Sequence, residues 1–416
     1  MKNRIIKAIE DNRETIIQCG EYILHNPEMG YKEFKTAAYI KEEFQKLGIP
    51  FQENLAVTGV MGVAGNPNAA INICIIGEMD GITCYEHPFS DPITGASHAC
   101  GHNVQIAQMI GAAYGIVKSG LLEESDCKIT FLAVPAEEFV ELDYRKSLVD
   151  SGKITYMSGK QELIHLGVFD DIDIAMMIHA HALSPTPCAY MMGSSLGFES
   201  KRAIFHGKAA HGSEPWNGVN ALDAAVTALT AINANRATFK EADCVRIHPI
   251  VSNGGDLVSV IPSKAVIDTF VRAANVPALR DACEKVDNAF KAGALALGTT
   301  FEIQNTRGYA PLCQDQHVSN VFEENVKQFL DASKIQHNIN MTGSTDMGDV
   351  SSIIPAIQPT IGGFNGAPHS KDFAVADQEF VYITASKILA LTVWDLVKDD
   401  AKIAKKVKAD FQAKNT

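Results

Sequence analysis

The sequence lacks an excess of positive charge. Its 416 residues include 36 Lys and Arg against 49 Asp and Glu, which gives a formal net charge of −13. Nucleic-acid-binding proteins need clustered basic side chains to neutralise phosphates, and the sequence contains no such stripe. We therefore expect no nucleic-acid partner.

Long apolar runs are also missing. No segment approaches the roughly 18 consecutive apolar residues that a membrane helix requires. Glu10, Asp11 and Glu14 stand where a secretory signal would have its apolar core. The nine cysteines are odd in number and widely spaced, unlike the dense disulfide framework of a small secreted domain. These absences predict a cytoplasmic protein with no membrane partner.

Near-continuous apolar runs alternate with helical patterns in the first half of the chain. Residues 71–80, 128–138 and 172–181 are predicted to form buried strands, and residues 104–120 a helix. This alternation is typical of a mostly parallel sheet with helices on both faces. Because 416 residues exceed the usual size of a single core, two domains are expected.

A different pattern fills residues 197–309. Its predicted elements follow the order β-α-β-β-α-β, which is that of a ferredoxin-like unit. The α/β pattern resumes around Val318. The predicted fold class is therefore α/β, with a discontinuous domain of mostly parallel sheet (1–196 and 310–416) and an inserted ferredoxin-like domain (197–309).

Acids and histidines stand at the ends of the predicted strands. Ligands of open α/β sheets gather outside the carboxyl ends of the strands, so these side chains are expected to converge. They are Glu78, Asp80, Glu137, Glu138, His179, His181 and, after a fourth apolar run at 355–370, His369.

The densest motif is HACGHN, residues 98–103. Cys100 and His102 are two residues apart, so they project from one side of an extended segment, and thiolate and imidazole both bind zinc-like metals. Alone, the motif fits a buried cysteine beside structural histidines equally well. The adjacent Glu137 and Glu138 would give one carboxylate to a metal and leave one to carry protons, although isolated glutamate pairs are usually solvated. Together these groups have the composition of a two-metal hydrolytic site.

These motifs, in this order, resemble the M20 family of metallopeptidases and amidohydrolases, especially its aminobenzoyl-glutamate hydrolases, N-acyl amino acid hydrolases and dipeptidases. The resemblance covers nearly the whole chain. The matching motifs are HNPEMGYKEFKTA (25–37), EMDGI (78–82), HACGHN (98–103), PAEE (135–138), IHAH (178–181), GKAAHGSEPWNGVNALDAA (207–225), SNGGDLVSVIP (252–262), GSTDMGDVSSIIP (343–355) and GAPHSKDF (366–373).

The resemblance implies two divalent metal ions per subunit, Zn or Mn in the first place and Co or Ni as alternatives. It implies that Cys100 is shared by both ions and that His102 binds one of them. Glu138 and His179 would complete the shell of one ion, and His369 would be the last ligand. His181 remains an alternative to His179.

The resemblance also implies the catalytic and substrate-binding roles. Glu137 would be the general base, and Asp80 would orient the site. From the inserted domain, which would act as a lid, His211 would reach the partner subunit's active site and stabilise the oxyanion. Arg272 would bind a substrate carboxylate, and Ser259 would also contact the substrate. The expected partners are a small molecule with a free carboxylate and a second copy of the chain, in a homodimer formed through the lid.

The expected function is metal-dependent hydrolysis of an amide bond in an N-acyl amino acid or dipeptide, with a metal-activated water and Glu137 as base. Asn103, where many relatives have aspartate, and residues 139–169, which replace a glycine-rich continuation, leave the substrate open. A catalytically silent relative that binds an amino acid or peptide is the alternative, although the complete ligand set and Glu137 count against it. A structural zinc site would need four closed ligands and no free base nearby, which the PAEE motif contradicts.

Overall fold

The computed structural model describes residues 1–415 and separates into two compact units. The first contains Met1–Gly193, Cys313–Asn340 and the chain from Asp349 onward, and the second contains Ser194–Leu312 and Met341–Gly348. The sequence does not mark residues 341–348 as part of the second unit, because that stretch is far along the chain from the inserted elements.

The helices of seven or more residues and the strands of the three larger sheets are as follows in chain order. The helices are α1 (Lys2–Asp11), α2 (Arg13–His25), α3 (Phe34–Leu47), α4 (His102–Lys118), α5 (Leu142–Asp150), α6 (Gly159–His165), α7 (Ala221–Asn235), α8 (Val276–Leu297), α9 (Gln316–Val326) and α10 (Ala385–Asn415). The strands are β1 (Phe51–Leu55), β2 (Gly59–Gly65), β3 (Asn72–Glu78), β4 (Lys128–Val134), β5 (Ile174–Met176), β6 (His179–Ala180), β7 (Ala189–Met191), β8 (Gly197–His206), β9 (Arg246–Asn253), β10 (Lys264–Ala273), β11 (Thr300–Arg307), β12 (Ile335–His337), β13 (Ala356–Ile357) and β14 (Thr360–Ile361).

The first unit is built on a six-stranded sheet with the order β1-β2-β4-β3-β5-β13. Strands β4, β3, β5 and β13 pair in parallel, and β1 and β2 add an antiparallel edge. Every residue of β3 is buried, which explains the apolar run between its polar ends, Asn72 and Glu78. The mixed α/β class expected from the sequence is confirmed. Glu78 and Asp80 lie at the carboxyl end of β3, and Glu137 and Glu138 follow the carboxyl end of β4.

Two predicted strands are broken in the structure. Residues 172–181 divide into β5, in the main sheet, and β6, in a smaller sheet of order β12-β7-β14-β6. The run at 355–370 contributes only the two-residue strands β13 and β14 before a hairpin strand. His369 therefore lies in a loop, in a left-handed conformation with φ 59°, and the expectation that it ends a strand is wrong. An apolar run cannot show where a chain leaves one sheet for another.

The last helical stretch is long and contains an apolar segment, and its backbone is kinked at residues 398–401. A π-helical turn, Glu379–Thr384, leads into α10. By length and composition the stretch Glu379–Lys414 could cross a membrane, but 94% of its most apolar part is buried inside the protein. It packs against α1, α4 and α9, so in this structure it is a core helix.

The second unit is an antiparallel sheet of order β9-β10-β8-β11 with α7 and α8 packed against it. The side chain of Asn220 accepts hydrogen bonds from two backbone N–H groups at the start of α7, and that of Asn275 accepts one at the start of α8. The two helices approach closely, because a Cβ at Gly293 would lie 2.4 Å from the backbone oxygen of Ala224. The order of elements and strands is that of a ferredoxin-like unit.

Candidate metal centre

Cys100 lies in the turn that begins helix α4. The next residue, Gly101, has φ +86°, and a Cβ there would lie 3.0 Å from the Cβ of Ala180. Glycine is therefore the residue that allows this turn. The turn brings the Cys100 thiol and the His102 imidazole together at the N-terminus of the helix, where the helix dipole favours negative charge. The Sγ of Cys100 is 3.7 Å from Nε2 of His179.

Three groups of side chains in this region could each hold a cation, and in each group the potential ligand atoms lie within 4.8 Å of one another. Cys100, His102 and His179 form the first group, Cys100, Glu138 and His369 the second, and Glu78, His102 and Glu137 the third. The five side chains that the family resemblance assigns to metal therefore make up the first two groups, which share the Cys100 thiol.

The grouping differs from the sequence expectation in one respect. The resemblance suggested that Glu138 and His179 share an ion, whereas in the structure Glu138 groups with His369. The carboxylate of Glu138 and Nε2 of His369 are 3.3 Å apart. The loop that carries His369 is held by a hydrogen bond from its backbone N–H to the Ala99 oxygen (2.8 Å), next to Cys100. Only the folded chain could bring this distant loop to the thiol.

His181, the alternative ligand, lies in neither group. Its ring stacks on Tyr190 with a centroid distance of 3.7 Å, and its Nδ1 is 3.3 Å from the hydroxyl of Thr360. In a regular strand, side chains two residues apart lie on the same face of the sheet, so His179 and His181 would both face the metal centre. Because the chain leaves β6 after Ala180, the two histidines separate, and His179 is the one beside Cys100.

Asp80 orients the imidazole of His102. The Nδ1–H of His102 donates to the backbone oxygen of Asp80 (2.8 Å), with an Asp80 carboxylate oxygen at 3.2 Å. The other carboxylate oxygen of Asp80 accepts the backbone N–H of Glu138 (2.9 Å). Since a carbonyl oxygen can only accept, the proton resides on Nδ1 and Nε2 is left to bind a metal. Such partners of a ligand histidine set its tautomer and ring orientation.

The Nε2 atom of His102 provides a test of whether this region fits a cation. It is buried and makes no directed hydrogen bond within the described residues, yet it lies 3.1 Å from Glu78 and 3.9 Å from Glu137. Burial raises the pKa of the Cys100 thiol, so a thiolate here needs a nearby cation. A soft thiolate, imidazoles and carboxylates around one point form a donor set that suits zinc-like ions, and these residues fit two such ions.

A buried ion pair lies behind this centre. Glu78, at the end of β3, contacts the ammonium group of Lys160 at 2.5 Å, and both side chains are fully buried. Gln105 donates to the other Glu78 oxygen (2.8 Å). Burial alone raises the pKa of Glu78, but Lys160 and the nearby histidines lower it to about 2. Lys160 was not identified from the sequence, because nothing in a sequence marks one lysine among many as buried.

Glu137 and Glu138 follow β4 in a tight turn. Ala136, the residue before them, has φ 54°, which turns the chain so that both acids are largely buried. Burial raises the pKa of Glu138, while its hydrogen bond with His369 and nearby imidazole charge produce a net decrease. Glu137 lies 3.9 Å from Nε2 of His102 and groups with Glu78 and His102, outside the two groups that contain Cys100.

The functional side chains predicted in the second unit form two clusters. His211 is exposed, and its Nδ1 lies 2.7 Å from the hydroxyl of Ser213. Ser259 is beside it, since the Gly212 N–H donates to the Ser259 backbone oxygen (2.7 Å). Arg272 belongs to the other cluster, which is built around strand β10.

The guanidinium of Arg272 donates to the Ser344 hydroxyl (2.6 Å). It also lies over the rings of Phe198 and Phe270, at 5.2 and 5.5 Å from their centroids. These contacts hold Arg272 in one orientation. Ser344 was not identified from the sequence as a partner, because it lies 72 residues from Arg272.

Comparisons with known proteins identify the family. Residues 74–395 match the model of peptidase family M20/M25/M40. The human "Xaa-Arg dipeptidase" is 31% identical over 78% of this chain and 71% of its own length. The mouse protein of that name is 26% identical over 100% of this chain and 93% of its own length. An "IAA-amino acid hydrolase" of Arabidopsis thaliana is 24% identical over 86% of this chain and 81% of its own length.

Solved structures show the same fold. A dinuclear metal-binding M20 peptidase of Bacillus subtilis superposes with a TM-score of 0.74 at 18% identity, covering 94% of this chain and 99% of that one. The aminobenzoyl-glutamate utilization protein of Klebsiella pneumoniae gives a TM-score of 0.68 at 16% identity, covering 94% and 98%. With a family model matched over most of its length, this chain is a metallohydrolase that belongs to peptidase family M20/M25/M40.

Proposed function

We propose that this enzyme hydrolyses the amide bond of a dipeptide or N-acyl amino acid that carries a free carboxylate, with two metal ions and with Glu137 as general base. The observation that carries this proposal is the pair of ligand groups sharing Cys100, with the Glu137 carboxylate, which belongs to neither of the two, 3.9 Å from Nε2 of His102. The relatives named as dipeptidases and amino acid hydrolases support this substrate class.

The charges around the centre support metal binding. Glu78, Asp80, Glu137 and Glu138 are all buried, and Lys160 is paired with Glu78. Uncompensated buried carboxylates are costly, so this arrangement calls for additional positive charge. Cys100, His102 and His179 would hold one ion, and Cys100, Glu138 and His369 the other. When bound, two divalent ions polarise the amide carbonyl and lower the pKa of water to about 7.

The protein's own groups handle the proton and the orientation of the ligands. Glu137 accepts the proton of the attacking water and delivers it to the departing amine nitrogen, as expected of a general base that becomes a general acid. Asp80 supports this arrangement from behind, because one carboxylate holds both the His102 ring and the backbone N–H of Glu138. We propose Zn or Mn as the native metal, with Co or Ni as substitutes.

Two groups of the second unit complete the proposed reaction. Arg272 binds the substrate carboxylate, since a guanidinium held by stacking and by Ser344 still has donors for a bidentate contact. The exposed His211 donates to the developing oxyanion. We propose that it acts on the active site of a second copy, in a cytoplasmic homodimer formed through the second unit, which serves as a lid.

The test is hydrolysis of a panel of dipeptides and N-acyl amino acids with basic, acidic, small and aromatic residues on the carboxyl side. Each substrate is paired with a version whose carboxylate is amidated. We expect hydrolysis of at least one free acid, little hydrolysis of its amidated form, loss of activity on chelation and recovery with Zn, Mn, Co or Ni. Full activity of thoroughly metal-stripped protein would contradict the proposal.

A further inference from the structure

Residues 139–158 form a connecting segment between the Glu137–Glu138 pair and helix α6. The segment contains α5 and is anchored to the loop before α3. Tyr31 donates its hydroxyl to the Tyr156 oxygen (3.0 Å), Lys32 forms an ion pair with Glu141 (2.8 Å), and the Lys32 ammonium lies 4.1 Å from the centre of the Tyr144 ring. These contacts fix the segment beside the acid pair.

Arg145 is the side chain that α5 directs inward. It is only 1% exposed and is among the largest fully buried side chains of the described protein. Its Nη1 donates to the backbone oxygens of Ala136 (3.0 Å) and Met157 (2.7 Å). Its Nη2 donates to the backbone oxygen of Glu138. One guanidinium therefore holds the peptide carbonyls on either side of Glu137.

The turn that Arg145 holds is one that a non-glycine residue rarely adopts. Ala136 has φ 54°, which is unfavourable for a residue with a Cβ. Its N–H donates to the buried carboxyl group of Glu33 (2.8 Å), and its carbonyl accepts from Arg145. Both polar groups of Ala136 are thus bound by buried side chains, and the surroundings impose the conformation.

The space around the guanidinium is adapted to it. A Cβ at Gly30 would lie 2.6 Å from Nη2 of Arg145 and 2.9 Å from the Cα of Ala136, so only glycine lets the two approach. The guanidinium also lies 5.5 Å from the centre of the Tyr31 ring. Within the described residues the guanidinium bonds carbonyl oxygens and no carboxylate, and its Nε makes no hydrogen bond. A buried cation with no acid partner is costly, and the charge-assisted hydrogen bonds to the three carbonyls offset part of that cost.

We propose that Arg145 is a positioning residue that holds Glu137 and Glu138 in their working orientations. The inference rests on the proposed function, in which Glu137 moves the proton and Glu138 binds a metal ion. Arg145 touches neither substrate nor ion. Its effect is transmitted through the backbone oxygens of Ala136 and Glu138, so its loss should disturb both acids at once while leaving the Cys100–His102–His179 group in place.

The experiment compares Arg145→Lys and Arg145→Met with Lys146→Met. Lys146 is the next residue on the same helix, is exposed and pairs with Asp150 one turn away, so it controls for loss of a positive charge from α5. For each protein we would measure kcat, KM, thermal melting and the affinities for two equivalents of Co²⁺. Kinetic values are expressed per folded, metal-loaded subunit.

We expect Arg145→Met to lower kcat by about 10²-fold with KM within about 3-fold of wild type, because small displacements of catalytic groups have effects of that size. Its second Co²⁺ should bind at least about 10-fold more weakly while the first binds normally, since second-shell changes commonly cost 10- to 100-fold in affinity. Arg145→Lys should be intermediate, because one ammonium cannot span the three carbonyls. Lys146→Met should match wild type.

Each other outcome counts against the inference. If the Arg145 variants melt at lower temperature but keep wild-type kcat and both Co²⁺ affinities, Arg145 serves only the fold. If Arg145→Met does not fold, Arg145→Lys decides, and misfolding of both would show a general structural role. If the wild type hydrolysed no substrate, the proposed function would fail, whereas the Co²⁺ titration would still test the positioning role of Arg145.

Discussion

The two units hold their functional side chains in opposite ways. In the first unit the candidate ligands His102 and Glu138 are buried, and they are tied together by Asp80, which bonds both the His102 ring and the backbone of Glu138. In the second unit His211 is exposed, and its ring nitrogen bonds the hydroxyl of Ser213, two residues away. The groups of the first unit are therefore bonded to one another before substrate arrives, whereas His211 would take its proposed role only when a second copy of the chain lies against it.

This contrast separates two kinds of damage. A change in the first unit should alter metal content or the proton transfer itself, because its groups are preorganised. A change in the second unit should leave metal content intact and alter only how the substrate or its transition state is held. Three predictions follow this division from the largest expected effect to the smallest.

The largest effect is expected from Glu137→Gln. It should keep metal content near that of wild type and lower kcat by about 10²- to 10⁴-fold, since the general base is removed and the ligands remain. Glu138→Gln should instead reduce bound metal, because its carboxylate belongs to the group with Cys100 and His369. Elemental analysis and steady-state kinetics distinguish the two.

Asp150→Asn is the matched control for this pair. Asp150 ends helix α5, and its exposed carboxylate pairs with Lys146 at 2.7 Å. It should change neither metal content nor kcat substantially. If Glu137→Gln lost the metal and Glu138→Gln kept it, the two roles would be reversed.

The next effect tests whether His211 acts on a second copy. His211→Ala should lower kcat by about 10²- to 10³-fold, as loss of an oxyanion donor does elsewhere, with metal content unchanged. When its subunits are exchanged with those of Glu137→Gln, about a quarter of wild-type activity should return. Half of the dimers are then mixed, and each mixed dimer has one site with both residues intact.

His206→Ala is the control for this exchange. His206 is also exposed in the second unit, where it pairs with Glu302 at 3.0 Å, and its loss should have little effect on turnover. Size-exclusion chromatography and activity after mixing are the measurements. A fully active monomer, or mixed dimers with no recovered activity, would remove the shared-site proposal.

The smallest effect is expected from Arg272→Met. Loss of a charged hydrogen-bonding partner should reduce kcat/KM by about 10- to 100-fold, mostly through KM. The loss should be specific to substrates with a free carboxylate. Arg202→Met, which removes an arginine paired with Asp268 on the same sheet (2.9 Å), is the control. Equal losses on free and amidated substrates would contradict a carboxylate-binding role.

Several features could be predicted because they depend on residue type and local order. Thiol, imidazole and carboxylate side chains have their metal-binding chemistry wherever they lie, so Cys100, His102 and the Glu137–Glu138 pair were candidates from their motifs alone. Strands β3 and β4 were evident because strands buried on both faces are apolar throughout. The family and the hydrolase activity followed from these motifs and are confirmed by the comparisons.

The tertiary structure decided which groups meet and which charges are buried. The pairing of Glu138 with His369 depends on a loop that lies more than 200 residues further along the chain. The burial of Arg145 and Lys160 depends on neighbours such as Gly30 and Glu78. The sequence around a buried arginine can look the same as the sequence around an exposed one. Only the packing of distant segments removes the Arg145 guanidinium from water and provides the carbonyl oxygens that it bonds.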